Sequence, residues 1–214
     1  MVADRRDTYP AASGEKSKGG GAVLVLASGS AMRARLLRAA GVDFVVDVPS
    51  VDEVALRATA TNGPQAAGII GAEKALAVSK RRPAAAVVGS DQVLGVDGEL
   101  LGKPGTRDNA RAQLRRLRGR THQLLTSASV AMGGTVIWQH DEVAELTMRA
   151  FSDEALETYL AQVGDDVLGS PGAYHLEGLG ASLFEAVRGD HFSILGLPLL
   201  PLLAFLRGRG VIPQ

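Results

Sequence analysis

The chain has 214 residues, 46% of them hydrophobic, with 23 Lys plus Arg balanced by 23 Asp plus Glu and no cysteine. That is enough apolar material for a sizeable core, and a formal charge of zero leaves no overall basic field to gather nucleic acid or anionic lipid. The missing cysteines exclude disulfides, thiolate nucleophiles and thiolate-bound zinc, which makes the cytoplasm the default compartment.

Residues 1–20 combine charges, Ser, Pro and a triple Gly, which predicts a disordered leader and leaves 21–214 as a single domain. The apolar run at 22–27 predicts a buried strand, and 33–40 a helix stopped by Gly41. Between them, Ser28, Ser30 and Arg33 stand where strand hands over to helix. Unpaired backbone N–H groups and the positive end of the helix dipole meet there, so the segment reads as an anion site, phosphate foremost. Residues 44–48 read as a strand ending at Pro49, after which Asp52 and Glu53 enter a connection. A helix is expected over 65–80, with Ala67, Ile70, Ala75, Leu76 and Val78 on its apolar face. The run at 84–88 is a second buried-strand candidate, and Asp91 should project from its end, where ligands of α/β proteins gather. Asp97-Gly98 marks a hairpin, Thr106 caps a helix through Leu117, and strands are expected at 122–131 and 135–149. Ser152 caps a helix to about Gln162, and a Gly-rich stretch at 169–180 precedes a last strand, turn and C-terminal helix. The whole reads as an α/β sheet carrying helices, with no segment long enough to span a membrane.

Asp52, Glu53 and Asp91 with Lys74 and Lys103 supply what a metal–phosphate substrate needs: oxygen ligands for a hard cation and fixed positive charge for phosphate oxygens. Singly, each has a plainer reading, the aspartate as a turn cap and each lysine as a solvated surface group. Gly102-Lys103-Pro104-Gly105 lacks Walker A spacing, and the four histidines lack metal-ligand spacing. His122 and Thr126, four apart in a strand, share a face and read as a packed or hydrogen-bonded pair. The arginines at 111, 115, 116, 118 and 120 read as a solvated helix face, since no aromatics interleave to stack bases.

The ordered set Leu-Ala-Ser-x-Ser at 26–30, Asp52-Glu53, Glu73-Lys74-Ala75, Gly89-Ser90-Asp91-Gln92, Gly102-Lys103-Pro104, His122 with Thr126, the segment Gly172 to Gly180, and Gly196-Leu197-Pro198 resembles the Maf family of nucleoside triphosphate pyrophosphatases. The resemblance implies an elongated mixed sheet with flanking helices, related to the inosine triphosphatase class, with two lobes around a cleft. It implies hydrolysis of a nucleoside triphosphate to monophosphate and pyrophosphate with a divalent cation, Mg²⁺ or Mn²⁺, as nucleotide-pool housecleaning. A nucleotide-binding regulatory protein affecting septum formation or cell division is the alternative. No nucleic-acid or membrane partner is expected, and a homodimer is compatible with the resemblance.

Carried over by position, Asp91 matches the family's proton acceptor, Lys74 and Lys103 its phosphate-facing lysines, and Ser28, Ser30 and Arg33 its first phosphate loop. Glu53 matches an acidic residue that helps hold metal, and for Asp91 the roles of base, second metal ligand or both stay open. Substrate choice in the family follows three positions, here Met32, Gln92 and Glu177. Members similar to the thymidine and uridine triphosphate enzymes carry Arg, Thr and Gln there, and those similar to the 7-methyl-GTP enzymes carry Trp, Gln and Glu. Two of the second set are present, so the 7-methyl-GTP-like subgroup is the nearer one. Met32 departs from it, because it removes an aromatic that would stack on a cationic base. Ala31 and Pro171 are further departures.

Overall fold

The computed structural model describes residues 22–214, so the leader expected at 1–20 lies outside the described residues. The first apolar run forms β1 (Leu24–Leu26), buried throughout and paired in parallel with β2 (Val45–Val46) on one side and β3 (Ala86–Val96) on the other. From β3 the sheet continues antiparallel through β5 (Thr121–Met132), β6 (Thr135–Met148) and β7 (Phe184–Arg188). Strand β4 (Glu99–Leu101) folds back onto β3 through Asp97-Gly98, where both residues take positive φ, 52° and 78°. The result is a seven-stranded mixed sheet in the order β2-β1-β3-β5-β6-β7 with β4 against β3.

Helix α1 (Ala31–Ala39) joins β1 to β2, and α2 (Glu53–Ala58) and α3 (Gly63–Arg81) join β2 to β3. Helices α4 (Arg107–Leu117) and α5 (Asp153–Val163) lie at the antiparallel end, and α6 (His191–Ile194) and α7 (Leu199–Gly208) close the chain. No helix among the described residues is long and apolar enough to cross a membrane. Two large apolar clusters form. One gathers Leu26, Leu37, Val88, Val130 and Leu202 at the parallel end, and the other Leu94, Leu114, Leu146, Leu156 and Tyr174 at the antiparallel end.

Two features of this packing bear on the site. Helix α3 lies directly on β3 because glycines face each other there: a Cβ on Gly89 would stand 2.2 Å from the Gly71 carbonyl oxygen. The close approach carries Lys74 down to the sheet. The arginines of α4 and its C-terminal flank are committed to the fold, since Arg111 pairs with Glu157, Arg115 and Arg118 with Asp153, Arg116 with Glu99, and Arg120 with Asp97. The face expected to be simply solvated instead ties α4 to α5 and to the β3–β4 turn.

Candidate active site

Strand β3 is longer than its neighbours on one side. That edge is covered by β1 at Ala86–Val88 and by β4 at Leu94–Val96, and no strand among the described residues pairs with it in between. Asp91 and Gln92 sit in this gap. Successive residues of a strand point to opposite faces, yet both reach the same cleft because the missing neighbour opens the edge to either side. Asp91 therefore lies in mid-strand, which corrects the expectation that it ends one. Its opposite neighbour, β5, holds the strand straight by pairing continuously from Val87↔Ala131 to Gly95↔Gln123. The cleft measures about 790 Å³ and draws its walls from both apolar clusters.

On one side of β3 the buried Lys74 ammonium stands 2.8 Å from Asp91 Oδ1 and 2.8 Å from Glu53 Oε1. Glu53 arrives on α2, whose N-cap is Asp52: its side chain accepts from the amides of Val54 and Ala55. Asp52 thus has a capping role, and its neighbour enters the cleft. Burial alone would raise the Glu53 carboxyl, but the hydrogen bond and charge of Lys74, with Lys103 and Arg33 beyond, hold it below its ordinary value. Lys103 is a looser member, 60% exposed and 4.0 Å from Glu53. Asp91 Oδ2 is buried with no hydrogen-bond partner among the described residues. An unsatisfied buried carboxylate oxygen is costly in a structural role and expected where a ligand completes the site.

At the β1–α1 junction Ser30 caps the helix, its Oγ accepting from the Arg33 amide at 3.3 Å. Ser28 Oγ accepts from the Ser30 amide at 3.2 Å and from Arg33 Nη1 at 3.1 Å. Both hydroxyls are acceptors toward the protein, so each keeps its hydrogen for a ligand. Arg33 Nε donates to the Gly196 carbonyl at 2.7 Å, which aims the guanidinium. Burial lowers the Arg33 pKa, opposed by the charges of Asp91 and Glu53, and the group stays cationic. Ser28, Ser30 and Arg33 are thus brought together at the start of α1, next to the acid–lysine chain.

The remaining wall comes from the Gly-rich stretch, with Ser170, Tyr174, His175 and Glu177. Glu177 is exposed and, among the described residues, has no hydrogen bond or ion pair with the protein. Met32 lines the cleft while packing partly on the cluster under α1 and α7. Gln92 lies on the other face of β3, across from Thr126. His122 and Thr126 share a face without bonding to each other: His122 Nε2 meets the Tyr174 hydroxyl at 2.7 Å, while Thr126 bonds Gln92 and the Ser193 carbonyl. Burial pushes the His122 imidazole down to about 4, so it is neutral near neutral pH and props the cleft wall through Tyr174. Tyr174 stood in the sequence without a role, and the Gly196, Ser193 and Ile194 carbonyls could not have been read there, because a backbone oxygen has no residue signature.

Among the described residues no group of three or more His, Asp or Glu side chains is placed to cage a metal. The donor set fits a different arrangement, a hard cation held by one or two carboxylates and completed by phosphate oxygens. Glu53 and the unpartnered Asp91 Oδ2 are suited to that role.

A family model described as Maf-like protein matches residues 23–209. A nucleoside triphosphate pyrophosphatase of Paramagnetospirillum magneticum is 49% identical over 190 residues, covering 87% of this chain and 98% of the relative. A 7-methyl-GTP pyrophosphatase of Brucella abortus is 42% identical over 188 residues, covering 86% and 94%. A solved structure of a nucleoside-triphosphatase, dITP/XTP pyrophosphatase, from Mycobacterium abscessus aligns with a TM-score of 0.41 at 16% identity, over 89% of this chain and 97% of that one.

Proposed function

The chain belongs to the Maf-like protein family, and from that footing we propose that it hydrolyses a nucleoside triphosphate, modified ones such as 7-methyl-GTP included, to the monophosphate and pyrophosphate. The observation that carries this reading is the Glu53–Lys74–Asp91 chain, buried at Lys74 and Asp91 and left among the described residues with one open carboxylate oxygen, beside a hydroxyl–arginine loop at a helix N-terminus.

The geometry supports the following roles. Arg33, the Ser28 and Ser30 hydroxyls and the first-turn amides of α1 bind phosphate oxygens, and the exposed Lys103 closes on them from the opposite rim. Asp91 holds a water and takes its proton as the water oxygen bonds to phosphorus. The anhydride bond between the α and β groups then breaks, and pyrophosphate leaves with the electron pair. Lys74 keeps Asp91 oriented and offsets the repulsion between the two carboxylates and the incoming phosphates. Glu53 and Asp91 would hold a divalent cation, which supplies charge neutralisation for the triphosphate. Gln92, Glu177 and Met32 form the end of the cleft that meets the base, where Glu177 offers a carboxylate to guanine N–H groups and to a cationic methylated ring.

Pyrophosphate release from 7-methyl-GTP, GTP, UTP, CTP, dTTP and 5-methyl-UTP, each with Mg²⁺ or Mn²⁺, tests this reading. Turnover favouring 7-methyl-GTP and GTP is expected. A pyrimidine preference would keep the reaction and overturn the base assignment, and nucleotide binding without pyrophosphate release would transfer the protein to a regulatory role.

A further inference from the structure

The carboxamide of Gln92 lines the cleft, and three acceptors surround its nitrogen. Its Nε2 donates to Thr126 Oγ1 at 2.8 Å, to the Ser193 carbonyl at 3.0 Å and to the Ile194 carbonyl at 3.1 Å. Thr126, directly across the β3–β5 ladder, gives its one hydroxyl hydrogen to the same Ser193 carbonyl at 2.9 Å and so turns a lone pair toward Gln92. The two carbonyls belong to α6, a single turn capped by Asp190, whose Oδ2 accepts from the Ser193 amide at 2.6 Å.

This network fixes the sense of the amide. Rotating the carboxamide by half a turn would set its oxygen against two carbonyl oxygens and leave both N–H bonds without acceptors. Oε1 is thereby presented to the cleft, with no partner among the described residues.

We propose that Thr126 and the capped turn His191–Ile194 are positioning elements for base selection, fixing Gln92 as a hydrogen-bond acceptor that selects a nucleobase by an N–H donor. The proposal rests on the nucleotide-hydrolysing reading of the cleft and adds to it the polarity of one contact and the residues that set it. Thr126 touches no substrate in this account and acts through Gln92 alone.

The test is the spread of kcat/KM across GTP, 7-methyl-GTP, UTP, CTP and dTTP for Thr126→Val, Thr126→Ser and Asp190→Ala. Valine keeps the shape of threonine and removes the hydroxyl, so the ratio between best and worst nucleotide should narrow by about three- to tenfold, mainly through KM of the best. Thr126→Ser should keep the wild-type ratio. Asp190→Ala, which loosens the turn from the far side, should narrow it as Thr126→Val does, and decides the matter alone if the valine variant does not fold. A purely structural role would lower kcat for every nucleotide alike, with KM and the ratio unchanged, and that result overturns the proposal. If the wild type releases pyrophosphate from none of them, the parent reading falls and the proposal with it.

Discussion

Asp91→Asn should lower the rate of pyrophosphate release by about two to four orders of magnitude, the span usual for loss of a general base, with the fold intact. Asparagine has the shape of aspartate, and its amide oxygen can still accept from Lys74 Nζ, now 2.8 Å from Oδ1. The buried Oδ2 becomes an amide nitrogen, which can neither take a proton nor serve as a metal ligand. Lys74 also keeps Glu53, so no buried cation is stranded. Initial rates beside a thermal melt separate the two effects. Activity within tenfold of wild type would remove Asp91 from the chemistry, whereas a collapsed melting temperature would make the asparagine variant uninformative on mechanism and return the residue to a structural role.

The second large effect is on stability. Lys74→Met keeps the unbranched stem and removes the ammonium, leaving the Glu53 and Asp91 carboxylates facing each other without the cation that joins them. Breaking a buried ion pair from one side costs about 3–5 kcal/mol. Arg33 and Lys103 remain near Glu53, so the lower end is expected, a melting temperature down by roughly 10 °C for a domain of this size. The pH dependence has a definite sign. Glu53 is held below its ordinary value of 4.5 in the folded protein, so it contributes stability above that pH and loses it as pH falls through the depressed folded value. The variant lacks most of that contribution and adds repulsion between ionised carboxylates. Its deficit should be greatest above about pH 5 and shrink as the solution is acidified through the carboxylate range. Calorimetric melts of both proteins from pH 7 to pH 4 would show this, and a deficit independent of pH would mean that Lys74 contributes packing alone. Added Mg²⁺ should recover part of the loss at neutral pH, since a cation between the carboxylates replaces the missing charge.

Much of this site was legible in the sequence because it is written in side chains at ordered intervals. Ser28, Ser30 and Arg33 fall at a strand–helix junction that apolar periodicity locates, and the structure brings the three side chains together there. Other parts were hidden for physical reasons. Gly89-Ser90-Asp91 is composed of turn-forming residues and reads as the end of a strand, yet β3 runs through it: Gly89 is there because helix α3 leaves no room for a Cβ. Helix α2 has six residues, none of them buried, so it carries no hydrophobic period to detect, and from sequence Glu53 reads as part of a connection. His122 and Thr126 share a face, as their spacing requires, but spacing gives no information on what comes from elsewhere to meet them. One is met by Tyr174 from 52 residues away, the other by a carbonyl 67 residues away. The resemblance implies a base-facing Gln92, while the orientation of its amide depends on two backbone oxygens that no composition or motif encodes.

The measurement that bears most directly on the account is the product ratio from wild-type protein given a Mg²⁺ nucleoside triphosphate, with nucleotides and phosphates separated and quantified through a full time course. One monophosphate and one pyrophosphate per triphosphate consumed, with neither diphosphate nor orthophosphate, is the predicted result. Accumulation of diphosphate with orthophosphate would place the cut at the wrong anhydride and contradict the roles proposed for Asp91, Lys74 and the Ser28–Arg33 loop.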